Sequence, residues 1–146
     1  MRKLLGLLSN RNLLALAALA TALTPQIAGA HCYLGNGILN GIYVTHATGT
    51  LVGVGPISAL NLVQFNGDGT AVSLSETVSI NGTIYRFTGV PFTYKVNPDC
   101  TGSMTSGTGP SASTFDMIAN PDGSSIDWIA TNPGEVCTGA LLRVFR

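Results

Sequence analysis

The sequence predicts an all-β protein, an eight-stranded antiparallel up-and-down barrel, with a two-sheet β-sandwich as the alternative. Three observations lead to this prediction. From residue 31 onward no segment has the 3.6-residue apolar periodicity of a helix. Turn signals rich in Gly, Asn, Asp and Pro recur at short intervals. The runs between them are rich in Val, Ile, Thr, Phe and Tyr, which favour strands.

Seven turn signals separate eight runs, and the predicted strands fall near residues 39–52, 57–65, 70–80, 84–96, 101–106, 113–119, 124–131 and 137–145. Short connections join antiparallel neighbours, so the strands form a meander whose first strand can pair with its last. A sandwich usually needs a longer crossover, and the sequence shows none. An eight-stranded barrel leaves room inside for side chains or for one small ligand.

The clearest strand is 70–80, which alternates with period two. Its apolar face consists of Val72, Leu74, Glu76, Val78 and Ile80. A two-residue turn at Asn81-Gly82 would place Glu76 opposite Phe87. The aromatic residues that follow are out of phase with Phe87, so a bulge is expected at Gly89-Val90-Pro91.

Glu76 is the candidate catalytic residue because it is a carboxylate on an otherwise apolar face. A buried carboxylate must be hydrogen-bonded, paired or protonated, and burial raises its pKa toward the range of a general acid or base. The alternative is a structural carboxylate at the barrel mouth, where water reaches it. The candidate ligand-binding residues of the interior are Tyr43, Phe65, Leu74, Phe87, Tyr94, Phe115 and Trp128, and Val72 is expected to line it too.

The first 30 residues have the pattern of a secretory signal peptide. Arg2 and Lys3 give a basic start, an apolar run covers 13–23, and Ala28-Gly29-Ala30 fits a cleavage site. Cleavage after Ala30 would leave residues 31–146 as a single domain. The expected location is therefore secreted or periplasmic.

The predicted domain has four basic and seven acidic residues, a net charge of −3. This balance argues against nucleic acid and against binding to anionic membranes. No run after residue 30 is long enough for a transmembrane helix. The sequence has no phosphate loop, dinucleotide fingerprint, nucleophile elbow or zinc-ligand spacing, so no cofactor is expected. Nothing in it indicates an oligomeric state.

Strand direction selects between the possible disulfides of the three cysteines. Cys32 precedes the first strand and Cys100 opens the fifth, so in an eight-stranded meander both lie at one end of the barrel. Cys137 opens the eighth strand at the opposite end. We therefore predict a Cys32–Cys100 disulfide and a free Cys137. A ninth strand beginning at Val90-Pro91 would favour Cys32–Cys137 instead.

Two histidines are the candidate metal ligands. His31 would become the N-terminal residue after cleavage, and an N-terminal histidine offers both its amine and its imidazole to copper. His46 is the only other histidine and lies in the first predicted strand, at the parity of Ile42 and Val44. Because no spacing supports a site, we predict no metal centre and interpret His31 as a consequence of cleavage.

Asp116 and Asp127 flank the turn at residues 120–123 symmetrically, so they are predicted to face each other across a hairpin. Such a pair could share a proton or hold a cation. The apolar residues of this hairpin lie on the other face, which favours a solvated pair with Arg143 nearby to relieve its repulsion.

Several motifs resemble those of a group of small secreted bacterial proteins. They are Asn40-Gly41-Ile42-Tyr43, Asn97-Pro98-Asp99-Cys100-Thr101-Gly102, Phe115-Asp116, and Asn132-Pro133-Gly134-Glu135-Val136-Cys137-Thr138-Gly139. The group is similar in pattern to allene oxide cyclase-like and lipocalin-like barrels. The resemblance implies a barrel that binds or cyclises an apolar molecule in its interior. The cyclases also carry an interior glutamate, and Cys137 departs from the group's pattern.

Three functions follow as hypotheses. The first is a binding protein for a small apolar ligand in the barrel. The second is a cofactor-independent isomerase or cyclase in which Glu76 acts on a bound substrate. The third is a structural or surface interaction protein whose barrel is filled by its own side chains.

Overall fold

Nine β-strands and two short 3-10 helices make up residues 31–146, the part of the chain that the computed structural model describes. The predicted signal peptide, residues 1–30, lies outside these described residues. Neither helix, Gly35–Ile38 or Gly109–Ser111, is long and apolar enough to cross a membrane. The strands are β1 (Asn40–Leu51), β2 (Gly55–Asn66), β3 (Thr70–Ile80), β4 (Thr83–Phe87), β5 (Pro91–Val96), β6 (Thr101–Ser106), β7 (Ser113–Ala119), β8 (Ser125–Ala130) and β9 (Glu135–Phe145).

The sheet closes on itself. All strand pairs are antiparallel, and the order runs β2-β1-β9-β8-β7-β6-β5-β3-β4, with β2 also paired to β3. Because β4 and β5 both pair with the same edge of β3, they together occupy one strand position, and the barrel has eight strand positions. This confirms the predicted up-and-down barrel and excludes the sandwich. The predicted strands 70–80, 101–106 and 113–119 match β3, β6 and β7 at both ends.

The predicted strand 84–96 is divided into two strands that pair with different halves of β3. Residues 70–72 pair with β5, and residues 76–80 pair with β4. The break falls at residues 88–90, where Gly89 has a positive φ of 71°. The expected bulge is therefore a break between two strands: it exchanges the faces on either side, so that Phe87 and Phe92 both share a face with inward residues of β3, while the register against β3 is unchanged. Glu76 lies opposite Phe87 as predicted.

An extra residue in β3 corrects the predicted interior face. Leu62 of β2 pairs with Ser75, and the next residue of β2 pairs with Ser73, so Leu74 has no partner there. Such a bulge exchanges the faces of the residues on either side of it. Glu76 therefore lies inside the barrel, whereas Leu74 is 39% exposed on the outer face. Val72 is likewise outside, because before the bulge it is Ala71 and Ser73 that are buried.

The segment before β1 closes one end of the barrel. Leu39 is fully buried there, and the hydroxyl of Tyr94 lies 3.1 Å from the carbonyl oxygens of both Asn36 and Leu39. The Cys32–Cys100 disulfide joins this segment to the turn between β5 and β6, as predicted. A disulfide is consistent with an oxidising extracellular or periplasmic location.

Three turns at this closed end repeat one arrangement. In each, an Asp carboxylate accepts a hydrogen bond from the backbone N–H two residues later, at 2.8–3.1 Å. The residue between them has a positive φ, which is Gly69 in the first turn, Cys100 in the second and Gly123 in the third. The turns are Asn66–Thr70, Asn97–Thr101 and Asn120–Ser124. Cys100 thus takes a backbone conformation for which the other two turns use glycine.

The disulfide is expected to stabilise the barrel substantially. The cysteines are 68 residues apart, so the Cys32→Ser/Cys100→Gly variant should lose about 4 kcal/mol of unfolding free energy in the chain-entropy model. Urea unfolding followed by circular dichroism measures this loss. Cys137→Ser is the matched control and should change little. Cys32→Ser/Cys100→Ser should be less stable than the glycine version by about 1 kcal/mol, because serine is strained at positive φ. Equal stability of all four proteins would contradict the prediction.

Candidate functional site

The barrel interior is divided into a filled half and an open half. At the closed end the ring of Phe65 packs edge-on against Tyr43 and Tyr94, with centroids 4.9 and 5.1 Å away. All three are buried, and the hydroxyl of Tyr43 donates to the carbonyl of Gly123. These three candidate ligand-binding residues therefore fill the closed half and do not line a cavity.

A cavity of about 260 Å³ occupies the open half. It is larger than a cavity of about 150 Å³ that binds benzene. Its walls are mostly apolar, and every strand except β4 contributes to them. Of the predicted lining residues, Phe115, Trp128 and Glu76 reach it, and the rings of Phe115 and Trp128 pack edge-on at 4.9 Å.

One wall of the cavity carries a row of polar side chains. Thr45 of β1 is the register partner of Asn61 of β2, which is in turn the partner of Glu76 of β3. Partners in a sheet lie on the same face of neighbouring strands, about 4.8 Å apart. We call these three residues the polar row. The Asn61 side-chain oxygen accepts a 2.7 Å hydrogen bond from Ser73.

Glu76 is half-buried in this row. Among the described residues none donates a hydrogen bond to its carboxylate. Burial raises its pKa above the ordinary value of 4.5. The carboxyl therefore holds its proton to a higher pH than an exposed glutamate does, which is the property required of a general acid or base. It is also free to bond to a molecule in the cavity.

Two buried polar atoms of the cavity wall lack hydrogen-bond partners in the part of the chain that the structure describes. They are the hydroxyl oxygen of Thr45 and the indole nitrogen of Trp128. The indole packs against Gly139, where even a Cβ would lie within 2.6 Å of it. An unpartnered buried donor or acceptor costs about 1–3 kcal/mol. Both atoms are covered by the wall itself, so the fold carries this cost.

The mouth of the cavity holds Glu135 and the free Cys137. Glu135 accepts a 3.1 Å hydrogen bond from Ser113, and the sulfur of Cys137 packs over Gly49. Burial, and secondarily the charge of Glu135, raises the pKa of the Cys137 thiol, so the thiol stays protonated at neutral pH. None of the residues that line the cavity is Lys, Arg or His.

The remaining candidate residues lie elsewhere. Phe87 is 46% exposed on β4, beyond the cavity. His31 is exposed and stacks on Tyr33 beside the closed end, whereas His46 lies on the outer face of β1. Residues 31–146 contain no group of three or more His, Cys, Asp or Glu side chains that could hold a metal ion.

The predicted carboxylate pair is offset. Asp127 pairs with Ile118, and Asp116 pairs with Ile129, so the two aspartates are diagonal neighbours on the outer surface. The last pair of this hairpin is Ala119 with Ile126, so the connection includes residues 124 and 125 in addition to the predicted turn at 120–123. Arg143 does not serve this pair, because its guanidinium donates to the carbonyl of Asp122.

Sequence reasoning missed Thr45, Asn61, Glu135 and Cys137 as cavity residues. A signal for Asn61 was present, since it shares its parity with the apolar residues at 57, 63 and 65. Thr45 likewise follows Tyr43 by two positions. Strand parity also places Glu135 and Cys137 on the same face, but nothing in their local sequence indicates that this face is the inner one.

No family model, curated protein or solved structure matches this chain. The chemistry of the cavity therefore has to be judged from its own residues. They combine apolar walls with unpartnered hydrogen-bonding groups and a carboxyl of raised pKa. This is the composition of sites that hold and orient a small molecule.

Replacing Thr45 by valine should stabilise the protein. The two side chains have nearly the same shape, and valine removes a buried hydroxyl that has no partner. We expect a gain of about 1 kcal/mol in the free energy of unfolding, measured by urea titration. Thr48→Val, on the exposed face of the same strand, is the control and should change stability by less than about 0.5 kcal/mol. A destabilised Thr45→Val protein would show that the hydroxyl has a partner.

Glu76→Gln should remove a pH dependence of stability. The folded protein favours the protonated carboxyl, so wild-type stability falls as pH rises from 4.5 through the raised pKa of the folded state. The glutamine variant should be the more stable protein at pH 7, and the difference should vanish below pH 4.5. Thermal unfolding at a series of pH values measures this. Asp116→Asn controls for loss of an exposed charge, and parallel curves for wild type and Glu76→Gln would refute the prediction.

Proposed function

We propose that this protein binds a small, neutral and mainly apolar molecule inside its barrel. The observation that carries the proposal is a cavity that is closed at one end, has mostly apolar walls, and has the polar side chains of Asn61 and Glu76 in one of them. Apolar walls supply affinity, and a few fixed polar groups supply orientation. The cavity also counts against a barrel filled entirely by its own side chains.

The charges around the cavity favour a neutral ligand. Glu76 lies in its wall and Glu135 at its mouth, and no cationic side chain lines it. A carboxylate ligand would meet like charge in a poorly solvated space, which is unfavourable. A hydroxyl or carbonyl group would instead meet the side chains of Asn61 and Glu76 in the cavity wall. We infer that the ligand is an alcohol, phenol, ketone or ester with an apolar body.

The architecture supports this proposal. A closed eight-stranded antiparallel barrel is consistent with a lipocalin-like barrel, and such barrels hold one small ligand. We propose further that the protein is secreted or periplasmic, with residues 1–30 removed near Ala30. The disulfide supports an oxidising location. The intact mass of the exported protein tests this, because it should correspond to a chain that begins at His31.

The binding proposal is testable with the protein's single tryptophan, Trp128, which lines the cavity. We expect 2-naphthol to quench Trp128 fluorescence with saturation, and 2-naphthoate of the same ring size to bind at least tenfold more weakly at pH 7.5. Ala59→Phe should abolish naphthol binding, because Ala59 lines the cavity and the phenyl ring would fill it.

Leu60→Phe is the matched control, since Leu60 is 50% exposed on the outer face of the same strand. It should bind naphthol as the wild type does. Saturable binding that survives Ala59→Phe would place the probe outside the barrel and contradict the proposal. Absence of binding by wild type would contradict it as well.

A second candidate function is a cofactor-independent isomerase or cyclase that uses Glu76 as its acid or base. The specific observation is a half-buried carboxyl of raised pKa without a protein partner, next to Asn61 in an apolar cavity. The sequence motifs resemble a group of small secreted proteins that is similar in pattern to allene oxide cyclase-like barrels, and those cyclases also carry an interior glutamate.

A base in this cavity should open the ring of 5-nitrobenzisoxazole, because removal of the ring proton breaks the N–O bond and releases a coloured phenolate. We expect the wild-type rate to rise with pH as Glu76 ionises, and Glu76→Gln to lose at least 90% of it. Asp116→Asn should retain the full rate. Equal rates for wild type and Glu76→Gln would remove Glu76 as the base while leaving the binding proposal intact.

A further inference from the structure

We propose that the ligand is elongated, and that its outer part binds on two aromatic rings, Tyr85 and Phe87, above the cavity mouth. This inference rests on the proposed binding function and extends it. It identifies a second subsite and a class of ligand, a neutral chain or strip with one hydrogen-bonding end. We call the segment Thr83–Phe87 with its two rings the overhang.

The register of β4 places these rings on the inner face. Tyr85 is the partner of Val78, and Phe87 is the partner of Glu76. Val78 and Glu76 both line the cavity, and register partners project from the same face of a sheet. The two rings are nearly parallel, with centroids 6.4 Å apart and an interplanar angle of 8°. The overhang therefore continues the cavity wall outward.

The rings are exposed because the neighbouring part of the wall, β5 and β6, is shorter. On its other side β5 pairs with β6, and this ladder ends where Ser106 faces Phe92. The N–H of Gly107 then bonds to the carbonyl of Pro91, and the chain turns away. Among the described residues β4 pairs only with β3. Tyr85 and Phe87 consequently remain 44% and 46% exposed.

An apolar surface connects the cavity to the overhang without interruption. Val78 and Ile80 of β3 line the cavity mouth, and the next residues outward on this face are those of β4. Apolar side chains that remain in water on a concave face cost free energy unless a partner covers them. A molecule anchored at the polar row and longer than the cavity would leave it over Val78 and then lie against the rings.

The groups at the two ends of this surface indicate the chemistry of the ligand. The buried end meets Thr45, Asn61 and Glu76, so it carries a neutral oxygen such as a hydroxyl. The exposed end meets the faces of two aromatic rings, so it is a hydrocarbon chain or a flat apolar ring system. A primary alkanol is the simplest molecule with both properties.

Titration calorimetry with the straight-chain 1-alkanols from butanol to decanol tests the inference. In wild type we expect affinity to rise about three- to fourfold for each added methylene along the whole series. In Tyr85→Ser/Phe87→Ser the rise should stop once the chain leaves the cavity, so that 1-decanol binds at least tenfold more weakly than to wild type. The shortest alkanols should bind both proteins equally.

Ile84→Ser is the matched control, because Ile84 is exposed on the same strand but on the opposite face. It should behave as wild type throughout the series. If no alkanol binds wild type, the proposed function fails. If the short alkanols bind and 1-decanol binds wild type and the double variant equally, the subsite is refuted and the proposed function stands. A wild-type dimer in sedimentation that the double variant abolishes would also refute it, because a second copy would then cover the rings.

Discussion

The single extra residue in β3 is the constraint on which the open half of the barrel depends. A strand that alternated without interruption would keep Ala71 and Ser73 inside and would carry Glu76 to the outer surface. Because Leu74 is an extra residue without a partner in β2, the inward and outward faces of β3 are exchanged after it, and Glu76 faces the cavity. The neighbouring chain is interrupted between β4 and β5, opposite residues 73–75 of β3. The bulge in β3 and this interruption therefore lie side by side in the sheet. Bulges commonly redirect side chains near functional sites in this way.

The two ends of the barrel contribute differently to the protein. The closed end combines a disulfide, three turns that are each held by an Asp side-chain hydrogen bond, and buried aromatic rings. It contains most of the packed core. The open end places Glu76, Thr45 and the Trp128 indole against an empty volume, at a cost in unsatisfied hydrogen bonds. The tightly packed core and the cavity are thus separated along the barrel axis. A rigid base can hold a less stable site in position.

Much of the fold was predictable because turn residues and strand alternation are local signals. Strand parity was sufficient to select Cys32–Cys100 among three cysteines. The location of Glu76 on the inner face was also predicted, although its neighbours Val72 and Leu74 were assigned wrongly, because a bulge leaves no mark in an alternating sequence. The filled half was not predictable either. Whether Tyr43 lines a cavity or fills the core depends on how the N-terminal segment caps the barrel, which is a long-range contact.

The pairing of β1 with β9 has a consequence for how the protein reaches its folded state. These strands are the first and the last of the barrel, and their ladder runs from Leu51 opposite Glu135 to Ile42 opposite Phe145. The ring cannot close until β9 is available, so a chain in which β9 has not yet paired leaves the barrel strands with two open edges. Contacts of such long sequence separation fold slowly. Closure of this barrel therefore waits until β9 is available to pair with β1.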